Sequence, residues 1–165
     1  MSKKFVIAFC MLTLISVSAL AQKPQPRKNA VTSGSISIPA GSQDKKSLYT
    51  RLGGYDAIAL VVDDFITRLA TDKRFEKFFT GFSDDSRKRL RQHILDQFCA
   101  AAGGPCVYTG REMRTSHKGL GITEADWDAA AKHLVEALDK YKVPEAEKNE
   151  LLAFVVTQKK DIVEK

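Results

Sequence analysis

The sequence predicts an all-α domain over residues 47–165. Three observations carry this. Apolar residues recur there at steps of three and four, the period of a helix with one buried face. No segment alternates apolar and polar residues between turn signals, as a strand would. The breaks between periodic stretches hold glycine pairs and short loops, at Gly53-Gly54, Gly81, Gly103-Gly104-Pro105 and Gly110. The pattern amounts to five or six helices, some of them short.

Taken in order, "YDAIALVVDDFITRLATD" places Ile58, Val61, Val62, Phe65, Ile66 and Leu69 on one face. "SRKRLRQHILDQFCAAA" places Leu90, Ile94, Phe98 and Ala101 on a stripe, with Arg and Lys opposite. "TEADWDAAAKHLVEALDKYKV" opens on Thr123 as N-cap, with Glu124 and Asp126 in an acidic first turn. Its stripe runs through Trp127, Ala131, Leu134, Leu138 and Tyr141. "PEAEKNELLAFVVTQKKDIVEK" starts on Pro144, a residue suited to the start of a helix, and turns Leu151, Leu152, Val155 and Ile162 inward.

Residues 1–46 differ in kind. "MSKKFVIAFCMLTLISVSALAQ" has two lysines, an apolar run and an Ala-x-Ala site, the layout of a secretory signal peptide covering residues 1–21. The alternative is an N-terminal membrane anchor. The run is short and dotted with Ser and Thr, which favours cleavage after Ala21, leaving no stable membrane span. An exported, periplasmic protein is the expectation. Residues 22–46 are rich in Pro, Ser, Gly and Lys without periodicity and read as a flexible linker.

This division explains the net charge of +6. Residues 1–46 hold seven lysines and arginines against Asp44 alone, so residues 47–165 balance to zero. The folded part therefore offers no long-range attraction for nucleic acid. Cleavage also removes Cys10 and leaves Cys99 and Cys106. An oxidising compartment permits a bridge between them, and geometry decides it. There is no C-x-x-C and no C-x-x-C-H, so thiol exchange and covalent haem attachment lack their usual signatures.

The chemistry falls to three histidines. His117 follows Met113 by one helical turn and precedes Lys118-Gly119-Leu120-Gly121, which ends the helix. Such an imidazole can bind metal through one nitrogen while the other bonds to a carbonyl. The plain alternative is a capping or surface histidine, and spacing alone favours it. His93 lies at the edge of the Leu90–Ile94–Phe98 face. His133 reads as structural. Neither paired zinc spacings nor a nucleotide fingerprint occurs. A mostly apolar helical pocket with one or two imidazoles and several aromatics suits haem, whose iron needs an axial imidazole.

"LYTRLGGYDAIALVVDDF", "FEKFFTG" and "GGPCVYTGREMRTSHKGLGIT", with Trp127 beyond them, resemble the group I truncated haemoglobins across almost all of residues 47–165. The resemblance implies a two-over-two helical sandwich around non-covalent haem b. It implies that His117 is the proximal iron ligand and that Phe79 packs on the haem face. Met113, Leu120, Ile122 and Trp127 would line the pocket, with Tyr108 near a propionate. The implied ligands are O₂, NO and CO.

The distal side departs from the family pattern. Many members carry Phe-Tyr where this chain has Phe65-Ile66, and glutamine where it has Ile94. Leu90 and Ile94 both point into the pocket in this alignment, and two hydrogen-bond donors are missing. His93 aligns with a histidine that some cyanobacterial members use as a second iron ligand. Either His93 coordinates the iron, or it swings away and leaves an open apolar site; coordination is favoured. "GFSDDS" is longer than in relatives and could shift the distal helix.

Three functions remain in view. A non-enzymatic haem protein that binds diatomic gases comes first. A periplasmic redox protein with a partner, or an NO dioxygenase or peroxidase-like enzyme, is the alternative. A helical interaction protein without haem is disfavoured by the setting of His117.

Overall fold

Residues 46–165 are described by a computed structural model. They form seven helices: α1 Leu48–Arg51, α2 Gly54–Thr71, α3 Glu76–Phe79, α4 Asp84–Ala101, α5 Met113–His117, α6 Glu124–Lys140 and α7 Glu145–Ile162. Among the described residues there is no strand. The proposed signal peptide and all but the last residue of the linker lie outside them. No described helix is long and apolar enough to cross a membrane. The count exceeds five or six because α1 and α3 are four-residue single turns, too short to show a period.

Side-chain caps set several helix starts. Ser47 Oγ accepts from the Thr50 amide and Ser83 Oγ from the Ser86 amide. Thr123 heads a full capping box. Its Oγ1 accepts from the Asp126 amide, and the Asp126 carboxylate accepts from the Thr123 amide at 3.2 Å. Ser83 fixes the start of α4, so the "GFSDDS" stretch ends as the helix's own cap and acidic first turn.

Helices α2 and α4 pair, α6 and α7 pair, and the two pairs pack as a two-over-two sandwich. The core lies toward one end of it. Ile58, Val61 and Val62 of α2 meet Leu95 and Phe98 of α4, Leu134, Ala137 and Leu138 of α6, and Leu151 of α7. Val62, Leu95, Leu134 and Leu138 are fully buried, each contributing about 1.5–3 kcal/mol. Each of α2, α4 and α6 gives only part of its apolar stripe to this core. The rest, including Phe65, Ile66 and Leu69 of α2, faces a cavity instead.

One residue of the expected α4 stripe is misplaced. Ala101 is exposed, and Ala102 is buried in its stead. The helix ends there, so the regular 100° step no longer holds. Just beyond, Cys99 and Cys106 form a disulfide with Cα atoms 5.7 Å apart. It ties the end of α4 to the loop that leads to α5. Gly104 sits inside this closure, where an added Cβ would lie 2.5 Å from Tyr49 Cδ2 and 2.7 Å from Cys99 Sγ. Only glycine fits.

Candidate haem site

The uncovered ends of the helices enclose a cavity of about 710 Å³, within the range of small-molecule and cofactor sites. All twelve residues expected at the site line it, on seven stretches of chain. Phe65 and Ile66 come from α2, Phe79 from α3, and Leu90, His93 and Ile94 from α4. Tyr108 comes from the following loop and Met113 and His117 from α5. Leu120 and Ile122 follow, and Trp127 opens α6. No two of these stretches are adjacent by periodicity. The fold brings them together.

His117 is held by its own helix. Its Nδ1–H donates to the Met113 carbonyl at 2.8 Å, one turn back. A carbonyl can only accept, so this bond places the proton on Nδ1 and leaves the Nε2 lone pair for a metal. The ring is half-buried in an otherwise exposed turn.

His93 lies on the α4 wall of the same cavity. Its Nδ1 is buried and has no hydrogen-bond partner among the described residues. The ring is held by packing instead, edge-on to Tyr108 with centroids 6.0 Å apart. The two imidazoles therefore differ in their far nitrogens, one partnered and one not. His133 stands outside the cavity lining, bonded through Nε2 to Asp72 Oδ2 at 2.9 Å, and that bond holds the Asp72 carboxyl below its ordinary range.

The walls are apolar beyond what the sequence disclosed. Phe75, Phe78 and Phe82 join Phe79, and Phe154 reaches in from α7. Phe79 and Phe82 meet edge to face at 5.7 Å. Gln97, one turn beyond His93 on α4, adds an amide that the sequence reading passed over. Arg89 and Arg111 also line the cavity and carry the positive charge that two propionates would need. Tyr108 donates its hydroxyl to the Arg111 carbonyl at 2.6 Å, and burial pushes its pKa up. That donor is already used, and its ring serves to wall the cavity and brace His93.

An apolar slot between helices, one imidazole with a free Nε2 and guanidinium groups in the lining define a haem-binding protein. These residues fit the group. Comparison with known proteins gives the same result. The chain belongs to the bacterial-like globin family, whose pattern matches residues 47–164. It is 38% identical over 109 residues to the group 1 truncated hemoglobin GlbN of Mycolicibacterium paratuberculosis, covering 66% of this chain and 78% of that protein. Among solved structures it resembles the Fe(III) form of the truncated hemoglobin of Tetrahymena pyriformis. That match has a TM-score of 0.66 and 28% identity, over 73% of this chain and all of that one. It also resembles the 2/2 hemoglobin of Synechococcus, solved in the cyanomet state with covalently attached heme. There the TM-score is 0.65 and the identity 31%, over 72% and 98% of the two chains. The cofactor of this chain is haem.

Proposed function

We propose that this protein holds haem iron through His117 Nε2 and binds a diatomic gas, O₂, NO or CO, on the opposite face, with His93 as a displaceable second ligand. The difference between the two far nitrogens carries this reading. A partner on the non-ligating nitrogen orients an imidazole and raises its basicity; losing such a partner costs about 10–100-fold in metal affinity. His117 has that partner and serves as the anchor. His93 lacks one, so it closes the distal side when no gas is present and yields when one arrives.

Haem would supply an iron able to bind an imidazole and a gas. The chain supplies everything else. Phe65, Ile66, Leu90 and Ile94 keep the distal wall apolar and exclude water. Gln97 and His93 of α4, on either side of Ile94, can donate a hydrogen bond, and Ser86 and Arg89 of the same helix also line the cavity. Arg89 and Arg111 neutralise the propionates. The absence of a C-x-x-C-H motif supports non-covalent haem.

Export fits this reading. With residues 1–21 removed, the globin domain would work in the periplasm, where Cys99–Cys106 persists. A second reading, electron transfer to a periplasmic partner protein, is favoured by the same His93, because two histidines on one cavity would let both hold the iron. Absorption spectra of the ferric, ferrous and CO-bound forms test both. His117→Ala is expected to lose stable haem binding. His93→Ala is expected to convert a two-histidine ferric spectrum to a one-histidine one. Rapid NO consumption by the oxygenated form would point to an enzyme.

A further inference from the structure

We infer that Glu164 is a positioning residue for the proximal histidine: its carboxylate clamps the loop after His117 from outside the haem cavity. The inference rests on the reading of His117 as the iron ligand.

Helix α5 is one turn of five residues, and none of them is fully buried. A single turn has almost no stability of its own. Something other than the helix must hold His117 at a fixed depth. The loop that follows, Lys118-Gly119-Leu120, is exposed and makes no core contact to do so.

The tie comes from the stretch after α7. One oxygen of the Glu164 carboxylate accepts from the Gly119 amide and the other from the Gly121 amide, the latter at 2.7 Å. Both glycines have positive φ, +82° and +65°, where other residues are strained. That geometry turns both N–H groups toward one anion, as in a backbone nest. The backbone completes the clamp. The Glu164 amide donates to the Ile122 carbonyl at 2.9 Å, and the Glu124 amide donates to the Lys165 carbonyl at 3.1 Å. Ile122 is itself a cavity wall. Arg114 adds an ion pair from α5 to Asp161.

Residues 119–124 are thus stapled at four amides or carbonyls, two to seven residues beyond His117. The two amide bonds also hold the Glu164 carboxyl below the usual carboxylate range, Gly119 contributing most. An ionised carboxylate accepting two backbone amides makes a strong pair of charge-assisted bonds. Its effect on the haem is indirect. It fixes where the His117 ring sits and how far the loop can open to release the cofactor.

The test uses the haem-loaded full chain as wild type, Glu164→Gln and Glu164→Ala. Haem loss is followed by transfer to an excess of apomyoglobin, and the ferrous iron–histidine stretch by resonance Raman, with each variant also made in a His93→Leu background, where no second histidine competes for the iron. Hydrogen exchange reads the Gly119 and Gly121 amides. Glu164→Ala, which removes both amide acceptors, is expected to release haem at least about tenfold faster, a change of about 1.4 kcal/mol. It should also shift or broaden the iron–histidine band and expose both amides. Glu164→Gln, which keeps one acceptor oxygen, should fall between. Arg51→Ala serves as control, because it breaks the α1–α7 ion pairs to Glu147 and Glu150 without touching this loop. If the amides loosen while band and release rate stay as in wild type, the proposal is overturned. The same holds if Arg51→Ala moves both equally. A separate variant, His117→Gly, guards the premise. If it leaves the band unchanged, the ligand reading fails, and this proposal with it; loss of the band with recovery on added imidazole upholds it.

Discussion

Replacing His93 by leucine should move stability and spectrum in opposite directions. In the apoprotein the buried His93 Nδ1 has no partner, and such a group costs about 1–3 kcal/mol. Leucine fills a similar volume, carries no polar atom and belongs among Leu90, Ile94 and Phe98. The His93→Leu apoprotein should therefore be more stable by about 1–3 kcal/mol. For a domain of this size that raises Tm by roughly 4–12 °C. The haem-loaded form should instead lose the second ligand proposed for it. Its ferric spectrum should become that of iron with one histidine, and CO should associate faster because no side chain must first leave. Calorimetry of the apoprotein and absorption spectroscopy of the holoprotein read the two effects independently. An apoprotein no more stable than wild type, with an unchanged ferric spectrum, would refute the reasoning.

Three further outcomes are expected. Opening the Cys99–Cys106 bridge by Cys106→Ser releases a closure of sequence separation 7, which the chain-entropy relation values at about 2.5 kcal/mol, measurable by urea unfolding. Gly104→Ala should cost about 1–3 kcal/mol by the same assay, since the new methyl meets Tyr49 and Cys99 at 2.5 and 2.7 Å. Thr123→Ala removes the N-cap of α6 and should cost about 1 kcal/mol. It should also reduce acid sensitivity. The Asp126 carboxyl is held low, first by the Thr123 amide and then by its hydroxyl. Its stabilising share is present above the ordinary aspartate pKa of about 4 and is lost as pH falls through the depressed folded value. An NMR titration of Asp126 should show its pKa rise in Thr123→Ala.

Much of the site was legible because helical periodicity reports which residues share a face. It placed Phe65 and Ile66, Leu90 and Ile94, and Met113 with His117, and family resemblance then joined the faces around one cavity. Periodicity does not report where along a helix the core stops. Val62 and Phe65 share a stripe, yet one is buried in the core and the other lines the cavity. Phe82 and Gln97 were missed for related reasons. Phe82 lies in a turn with no period, and Gln97 is a polar residue, passed over although its spacing from Leu90 and Ile94 puts it on the apolar face. The Glu164 clamp spans more than forty residues of sequence and is made of backbone amides, which no side-chain pattern encodes. The Cys99–Cys106 pairing was left to geometry, and the structure supplies that geometry where α4 ends.

The cavity that the four long helices leave beside their core has a consequence for the life of the chain. A fold that buries only part of its apolar surface borrows the remainder from its cofactor. Filling about 710 Å³ of largely apolar space couples the folding equilibrium to free haem through mass action, each hundredfold excess over Kd adding about 2.7 kcal/mol. Copies that meet no haem sit closer to unfolding and are exposed to proteolysis. The amount of this protein that persists is then itself a record of how much haem its compartment has to spare.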